Sequence, residues 1–293
     1  MFSTGMNRIF HIDYVNRKIK IVCLALMVLI ILSFSMTYLE GYKTISVLCC
    51  GDNKEMNNEL PIIYAITPTY YRLTQRADLT RLASTLRLVE RMHWIVVEDW
   101  DVINPNIYEM LNSTGLSFTY MARKKLKTTR AYIKGADQRN AALDWIMEHH
   151  NQNFQAVFYF VDDDNTYSPE IFEQLRYTKK LSMWPVGLSG GRTYETPVVR
   201  NGKVTHFSAW MASRRKFPMD MAGFALNVKV LWDYHPMRFN ATSTPGVQET
   251  NFLQICCTLN DIEPLADDCT KILVWHTKTL VPILVNYDDD LIV

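Results

Sequence analysis

The chain has little net charge, few glycines and prolines, and few cysteines. Its 31 Lys and Arg residues against 30 Asp and Glu residues leave a net charge of +1, while hydrophobic residues make up 48%. High hydrophobicity with almost no net charge excludes an intrinsically disordered protein. The missing excess of Lys and Arg argues against binding of nucleic acid through its phosphates. Six cysteines in 293 residues are too few for a disulfide scaffold.

One long hydrophobic run lies near the N-terminus. Residues 21–39 contain no charged side chain and are numerous enough for a helix to cross a hydrocarbon core about 30 Å thick. Positive charge exceeds negative charge before this run, which predicts a cytoplasmic tail over 1–20 and a transmembrane signal-anchor over 21–39. A polar lumenal stem over 40–60 and a lumenal domain over 61–293 then follow. A cleaved signal peptide is the alternative, although the run is longer than a usual signal core.

Two glycosylation sequons and the cysteines concern the part of the chain that is predicted to be lumenal. Asn112 and Asn240 each begin an N-x-[ST] pattern. Cys49 and Cys50 lie in the predicted stem, where they either bridge two chains or stay as unpaired thiols. The cysteines further along the chain lack the spacing of a zinc site, and their pairing is left open: Cys256, Cys257 and Cys269.

Short β-rich runs alternate with amphipathic stretches beyond residue 60. Strands are predicted over 60–67, 94–97 and 156–161, and helices over 78–92, 136–150 and 248–259. A further helix is predicted to begin at Pro169 with Ser168 as its N-cap. This alternation predicts an α/β fold with a mostly parallel sheet flanked by helices. Ligands bind beyond the carboxyl ends of such strands, where residues 68–70, 98–99 and 162–164 fall.

Three successive aspartates follow the third predicted strand. Asp162, Asp163 and Asp164 raise one another's pKa unless a positive charge lies close. A bound Mg²⁺ or Mn²⁺ supplies that charge and keeps positions open for water and substrate phosphates. An acidic turn is the structural alternative. A second triplet, residues 288–290, follows no buried strand and is interpreted as a solvated tail.

Several segments in a fixed order resemble one known family. They are AITPTY at 65–70, the run 88–99, QRNAALDW at 138–145, DDDNTYS at 162–168, WPVGL at 184–188, FPMDMAGFA at 217–225 and VWHT at 274–277. The sequence thereby resembles the β-1,3-glucuronosyltransferases of glycosyltransferase family 43. The resemblance implies a GT-A fold, a homodimer and a single-pass type II protein of the Golgi membrane. It also implies Mn²⁺-dependent, inverting transfer of glucuronic acid from UDP-glucuronate to a galactose-terminated glycan.

The resemblance assigns a donor-binding set. By similarity, Thr69, Tyr70 and Asp99 hold the uridine, and a tyrosine ring suits stacking on a planar base. Asp163 binds the ribose and Asp164 the metal. The residues implied to lie near the donor sugar and phosphates are Asp162, Arg139, His276 and, at positions where the family often has arginine, Lys134 and Lys278.

The resemblance also assigns a catalytic base and an acceptor-binding set. Glu249 matches the base, because an inverting transfer needs one carboxylate to take the proton of the attacking hydroxyl. The alternative for Glu249 is an acid favoured by the helix macrodipole. Acceptor-binding positions are matched by Glu195, Trp210, Asp220 and an arginine that is either Arg214 or Arg215, with Arg214 taken as the prediction.

Three positions depart from the family pattern. Lysines at 134 and 278 keep the charge of an arginine but lose its planar pair of donors, and Pro245 stands where an arginine is common. Two other functions therefore stay open. One is a related transferase with a different UDP-sugar donor, and the other is a catalytically impaired relative that only binds UDP-sugar or glycan.

Overall fold

The computed structural model describes Met27 and residues 43–47, 60–126, 133–244 and 246–283. The predicted tail, nearly all of the predicted transmembrane run, most of the stem with Cys49 and Cys50, Pro245 and residues 288–290 lie outside the described residues. No helix within the described ranges is long and apolar enough to cross a membrane. The contacts within the chain separate it into two compact units, residues 1–43 and 44–293. The sheets described below belong to the second unit, apart from Lys43 at the start of β1.

Two β-sheets are formed by the described strands. In chain order these are β1 (Lys43–Val47), β2 (Ile62–Thr69), β3 (Met92–Glu98), β4 (Phe118–Ala122), β5 (Ala156–Phe160), β6 (Thr166–Tyr167), β7 (Leu181–Met183), β8 (Val186–Gly187), β9 (Tyr194–Arg200), β10 (Lys203–Ser208), β11 (Phe224–Asn227), β12 (Ile262–Pro264) and β13 (Val274–Trp275). The larger sheet has eight strands in the order β1-β4-β3-β2-β5-β11-β7-β12. The smaller sheet has five, in the order β10-β9-β8-β13-β6.

The larger sheet is mostly parallel. Strand β2 runs parallel to β3 and β5, β3 runs parallel to β4, and β12 runs parallel to β7. Only β11 is antiparallel to its neighbours β5 and β7 in the described pairings of this sheet. The α/β expectation is therefore confirmed, with one antiparallel strand added. Large side chains such as Trp94, Tyr159 and Trp184 fill the core and are fully buried.

Six α-helices accompany these strands in the described part of the chain. They are α1 (Gln75–Leu86), α2 (Pro105–Ser113), α3 (Ala136–His149), α4 (Pro169–Leu175), α5 (Val230–Asp233) and α6 (Gln248–Leu253). Residues Ala266–Cys269 form a single turn with positive φ throughout. The predicted cap of α4 is confirmed, because the Ser168 side chain accepts a hydrogen bond from the Glu170 N–H.

Several element boundaries differ from the sequence prediction. Helix α1 spans Gln75–Leu86 rather than 78–92, and Met92 already belongs to strand β3. Helix α6 ends at Leu253 rather than 259. Residues 254–256 form a turn, and Thr258 then forms a capping box with Asp261 at the start of a 3₁₀ turn over Leu259–Asp261. Strand β2 continues through Pro68 to Thr69. Its backbone groups alternate between β5 and β3, and the Pro68 nitrogen faces the β5 side. Strand β5 pairs with β2 only as far as Ile66, so the missing N–H of Pro68 breaks no pairing.

The smaller sheet was not predicted, because β6, β8 and β13 have only two residues each and β9 and β10 are largely polar or partly exposed along their length. Strand β9 pairs antiparallel with β8 and β10, while β13 runs parallel to β8 and antiparallel to β6. In this sheet β8 lies between β9, which carries Glu195, and β13, after which His276 follows. The sheet therefore decides where the predicted acceptor-side residues meet the donor-side residues.

Candidate active site

The carboxyl ends of β2, β3 and β5 meet at one edge of the larger sheet. Thr69, the last residue of β2, lies opposite Glu98 in the parallel register. The Thr69 hydroxyl donates to Asp163 Oδ2 over 2.6 Å, which joins the end of β2 to the turn after β5. The backbone N–H of Asp99 donates to the Thr69 carbonyl over 2.8 Å. The structure thus brings together the polar residues that the sequence placed beyond separate strands.

An exposed tyrosine stands at the rim of this edge. The Tyr70 side chain is 50% exposed, and the Arg72 guanidinium lies 4.8 Å from its ring centroid. Arg72 also forms an ion pair with Asp163 over 2.8 Å. One ring face is therefore supported by a cation while the side chain stays open to a planar ligand. Arg72 was missed in the sequence analysis; its position two residues after Tyr70 signals only the contact with that ring, not the ion pair with Asp163.

A buried polar group underlies the rim. Glu98 is buried and accepts hydrogen bonds from Gln75, over 3.1 Å, and from the Tyr120 hydroxyl. Gln75 also donates to the Thr69 hydroxyl over 3.2 Å. Asp99 is half-buried, and its Oδ1 accepts from the Lys125 N–H over 2.6 Å. The neighbouring carboxylates thus divide their roles: Glu98 is fully enclosed, and Asp99 faces the rim.

The aspartate triplet has three different surroundings. Asp162 pairs with Arg139 over 2.7 Å, and Asp163 pairs with Arg72. Asp164 forms no ion pair with any residue that the structure describes. Burial raises the pKa of Asp163 to about 6, against the opposing effect of Arg72. Burial and the nearby charge of Asp162 also raise the pKa of Asp164.

These surroundings decide which carboxylate could hold a metal. No cluster of three or more His, Cys, Asp or Glu side chains with metal-binding geometry occurs among the described residues. A site with one protein carboxylate still suits Mg²⁺ or Mn²⁺ when a diphosphate and waters supply the other oxygens. Asp164 is half-buried, lies near the charge of Asp162, and its carboxylate forms no ion pair with a described residue. It therefore fits that role better than Asp162 or Asp163.

A second polar cluster lies where the smaller sheet meets residues 220–223. Asp220 Oδ2 and the His276 ring Nδ1 are 2.7 Å apart. Ser189 is buried, and its hydroxyl lies 2.8 Å from Glu195 Oε2 and 3.1 Å from Asp220 Oδ2. The hydrogen bond that the His276 ring donates to Asp220 raises the pKa of His276. Burial raises the pKa of Asp220, but His276 outweighs this and lowers it overall. These two pKa shifts favour a protonated His276 paired with an ionised Asp220. Ser189, which bonds to the same aspartate, was not predicted from the sequence.

The arginine ambiguity is resolved by position. Arg214 is exposed, whereas Arg215 is buried with its guanidinium 5.3 Å from the centroid of the Trp210 ring. Arg215 also donates to the Gly246 carbonyl over 3.2 Å and lies 3.8 Å from Glu195 Oε1. The structure thus brings Arg215 into the acceptor-side cluster and leaves Arg214 outside it, because the chain turns between the two residues.

Trp210 itself presents an open ring. It is 44% exposed, and its backbone N–H donates to Glu195 Oε1 over 2.8 Å. A Cβ at Gly246 would lie 2.6 Å from the ring atom Cζ3. A glycine at 246 is therefore needed for the close approach of the backbone to this ring. A flat, partly exposed ring beside Glu195 and Arg215 suits stacking against a sugar.

Glu249 lies in the first turn of α6 and is half-buried. Burial raises its pKa to about 7, with a further contribution from the charge of Asp220. Arg215 and Arg139 act in the opposite direction. Glu249 therefore lies within the electrostatic reach of both the donor-side and the acceptor-side clusters. A carboxylate with a pKa near 7 is matched to proton transfer at neutral pH.

The sequence matches a known protein family and several named relatives. The family model described as Glycosyltransferase family 43 matches residues 82–280. The human galactosylgalactosylxylosylprotein 3-beta-glucuronosyltransferase 2 is 46% identical over 230 residues, which are 75% of this chain and 70% of the relative. The chain belongs to glycosyltransferase family 43. The human galactosylgalactosylxylosylprotein 3-beta-glucuronosyltransferase 3 is 43% identical over 242 residues, covering 76% of this chain and 72% of the relative.

Solved structures agree on the fold. TarS of S. aureus in complex with UDP-GlcNAc matches with a TM-score of 0.50 and 14% sequence identity, over 75% of this chain and 59% of that one. At this identity the likeness concerns the fold alone. The family 43 chain is thus a glycosyltransferase with a mixed α/β fold and a mostly parallel sheet.

The remaining predicted site residues of this glycosyltransferase lie at the surface. The side chains of Lys134 and Lys278 are exposed, although the Lys134 carbonyl accepts from Arg139 over 3.2 Å. The charge of Lys278 opposes the rise in the His276 pKa, which places it near the second cluster. Both sequon asparagines, Asn112 and Asn240, are exposed. The described cysteines Cys256, Cys257 and Cys269 are buried and unpaired.

Proposed function

We propose that this chain transfers glucuronic acid from UDP-glucuronate to the 3-hydroxyl of a terminal galactose, with inversion at the anomeric carbon. The observation that carries the proposal is Glu249, whose pKa is raised to about 7 between the donor-side arginine Arg139 and the acceptor-side pair Asp220 and Arg215. The names of the human relatives, both 3-beta-glucuronosyltransferases, support the sugar and the linkage.

The donor side has groups for each part of a nucleotide sugar. Tyr70 offers a ring for the uracil, and the half-buried Asp99 offers a carboxylate oxygen to its N–H. Asp163, held by Thr69 and Arg72, is set to accept from the ribose hydroxyls. The guanidinium of Arg139 provides a planar set of donors that suits a glucuronate carboxylate or a phosphate.

The proposed cofactor is Mn²⁺, which Asp164 would hold and which would keep positions open for a donor diphosphate. Asp164 fits because it has no ion pair among the described residues and borders two other carboxylates. When bound, the ion neutralises the charge that develops on the departing diphosphate. Arg139 and the His276 imidazolium then add positive charge on the same side.

The acceptor side holds the galactose and removes one proton. Trp210 stacks on the sugar ring, while Glu195 and Asp220 accept from its hydroxyls. Glu249 takes the proton of the 3-hydroxyl as that oxygen bonds to the anomeric carbon. The bond from that carbon to the diphosphate oxygen breaks on the opposite face, and its electron pair leaves with UDP. Only the deprotonated form of Glu249 is able to act as this base.

A donor-by-acceptor transfer assay on the full-length, detergent-solubilised chain tests the proposal. UDP-glucuronate, UDP-glucose and UDP-N-acetylglucosamine are each paired with galactose-β1,3-galactose and N-acetyllactosamine, with Mn²⁺ and with EDTA. We expect transfer of glucuronate alone, lost in EDTA, and the preferred acceptor names the glycan class. Absence of any preference for UDP-glucuronate would overturn the donor assignment.

The role of Glu249 is tested in the same assay. Glu249→Gln should abolish transfer and keep UDP binding, because the side chain keeps its shape but is unable to take a proton. Glu148→Gln is the matched control, since Glu148 is an exposed glutamate of α3. Undiminished transfer by Glu249→Gln would remove this residue from the role of base.

A different UDP-sugar donor is the second candidate, favoured by the exposed lysines at 134 and 278. A lysine lacks the fork of donors that an arginine presents to a carboxylate. Glucose or N-acetylglucosamine transfer above glucuronate transfer would support this candidate. Recovery of glucuronate preference in Lys278→Arg would then identify the position responsible.

The cellular setting is also proposed from the sequence. We expect a single-pass type II protein of the Golgi membrane, glycosylated at Asn112 and Asn240, which are both exposed. Protease protection in intact Golgi vesicles and a mass loss on glycosidase treatment test these points. A homodimer is proposed as well, because Leu280, Val281 and Ile283 are exposed apolar side chains. Light scattering of the purified chain gives the oligomeric state.

A further inference from the structure

The chain leaves the smaller sheet at Trp275 and continues along the donor side as residues 276–280, here called the C-terminal strap. Strand β13 ends at Trp275, and no further strand or helix follows in the described residues up to 283. The strap carries His276 and Lys278, which the proposed function assigns to the donor. What fixes the strap in place therefore affects how the donor is held.

Side-chain hydrogen bonds tie the strap to three separate elements. The His276 ring bonds to Asp220, and the Thr277 hydroxyl donates to the Asp164 carbonyl over 2.6 Å. The Thr279 hydroxyl donates to Asp78 Oδ1 over 2.6 Å. The last of these contacts reaches helix α1, on the nucleotide side of the proposed donor site.

Asp78 is the centre of this attachment. Its side chain is 1% exposed and lies in the first turn of α1. Besides Thr279, it pairs with Arg72 over 2.9 Å and with Arg81 over 3.2 Å. Arg72 in turn supports Tyr70 and pairs with Asp163.

Arg81 extends the same network to the aspartate turn. Its guanidinium donates to the Asp164 carbonyl over 3.3 Å, and that carbonyl is also the acceptor of the Thr277 hydroxyl. One buried carboxylate thus links the base-stacking tyrosine, the aspartate turn and the strap. Burying an ionised carboxylate without partners raises the free energy of the folded state, so a buried Asp78 needs these ion pairs and hydrogen bonds.

We propose that Asp78 is a positioning residue. Through Thr279 it fixes the C-terminal strap to helix α1 and to Arg72, which contacts Tyr70 in the proposed nucleotide site. It does not touch the donor. It sets the strap so that His276 and Lys278 face the donor phosphates at the moment the uridine stacks on Tyr70. This inference rests on the proposed function, because it takes the bound donor to be a UDP-sugar.

The test measures the dissociation constant of UDP with Mn²⁺ by calorimetry on the full-length chain. Thr279→Val removes the hydroxyl and should weaken UDP binding about tenfold, the low end of the effect expected for one hydrogen bond to a charged acceptor. Thr279→Ser keeps the hydroxyl and should bind as the wild type does. Thr80→Val is the matched control. Thr80 lies on the exposed face of helix α1, which also carries Asp78, and among the described residues its hydroxyl bonds to the Arg76 carbonyl alone.

A double-mutant cycle separates positioning from general damage. If Asp78 and Thr279 act through their shared bond, Thr279→Val should weaken UDP binding no further in an Asp78→Ala background. Urea unfolding of each variant shows which of them are folded, and Thr279→Val alone decides the question if Asp78→Ala does not fold. Wild-type affinity in Thr279→Val, an equal loss in Thr80→Val, or additive losses would overturn the inference. Absence of UDP binding by the wild type would instead refute the proposed function.

Discussion

Ionisation of Glu249 in the folded chain should destabilise the protein. The variant Glu249→Gln, which has no group to ionise there, should therefore lose less stability than the wild type as the pH rises. Burial and the charge of Asp220 raise the pKa of Glu249 from 4.5 to about 7. The folded chain thus binds this proton more tightly than the unfolded chain does. The stabilisation is fully present below pH 4.5 and is lost as pH rises through about 7.

The size of the effect follows from the two pKa values. Taken at face value they correspond to about 3 kcal/mol of lost stability between acid and pH 8. The side chain is partly exposed, and solvent screening reduces this to about 2 kcal/mol. Glu249→Gln removes the titrating group, so its free energy of unfolding relative to the wild type should rise by about 2 kcal/mol from pH 5 to pH 8.

Urea unfolding at pH 5 and pH 8 measures this difference without a substrate. Subtracting the wild-type curve at each pH cancels every other titration that the two chains share. Glu148→Gln, an exposed glutamate on α3, should show no pH-dependent difference from the wild type. A stability difference for Glu249→Gln that is the same at both pH values would refute the argument that burial raises this pKa.

Three other outcomes follow from the site. kcat/KM should rise about tenfold from pH 6 to a plateau above about pH 8, because Glu249 acts as a base only when deprotonated; a flat profile over this range would contradict its role. Arg215→Lys should raise the acceptor KM about tenfold, while Arg214→Lys, at an exposed position, should leave it unchanged; steady-state kinetics showing equal effects would refute the assignment. Gly246→Ala should raise the acceptor KM more than the donor KM, because its Cβ would lie 2.6 Å from the Trp210 ring at a φ of +75°; an unchanged acceptor KM would show that this ring does not hold the sugar.

Much of the larger sheet was predictable from local pattern. Its central strands β2, β3 and β5 are short apolar runs, each followed at once by polar residues, and their parallel arrangement follows from the helices between them. Strand β11 was not predictable, because an antiparallel insertion depends on which strand pair has an open edge. The smaller sheet was missed for a related reason: β8 and β13 have two residues each and carry no period.

Individual site residues divide in the same way. Thr69, Asp163 and Glu249 were predicted as site residues from segments that resemble the family, and such a prediction needs only local sequence. Arg72 and Ser189 were missed because their importance comes from partners at a distance along the chain. Arg72 pairs with Asp163 and Ser189 bonds to Asp220, and no local pattern predicts those contacts.

The sequence by itself determined the α/β class, the edge of the sheet at which the polar residues gather, and the family of the enzyme. These follow from hydrophobic period and from contiguous motifs, which are local properties of the chain. Only the tertiary structure decided that Arg215 rather than Arg214 lies beside Trp210, that the Asp164 carboxylate forms no ion pair among the described residues, and that Asp78 bonds to Thr279 of the strap. Each of these depends on burial and on charges brought together from distant segments, and such long-range encounters exist only once the chain has folded.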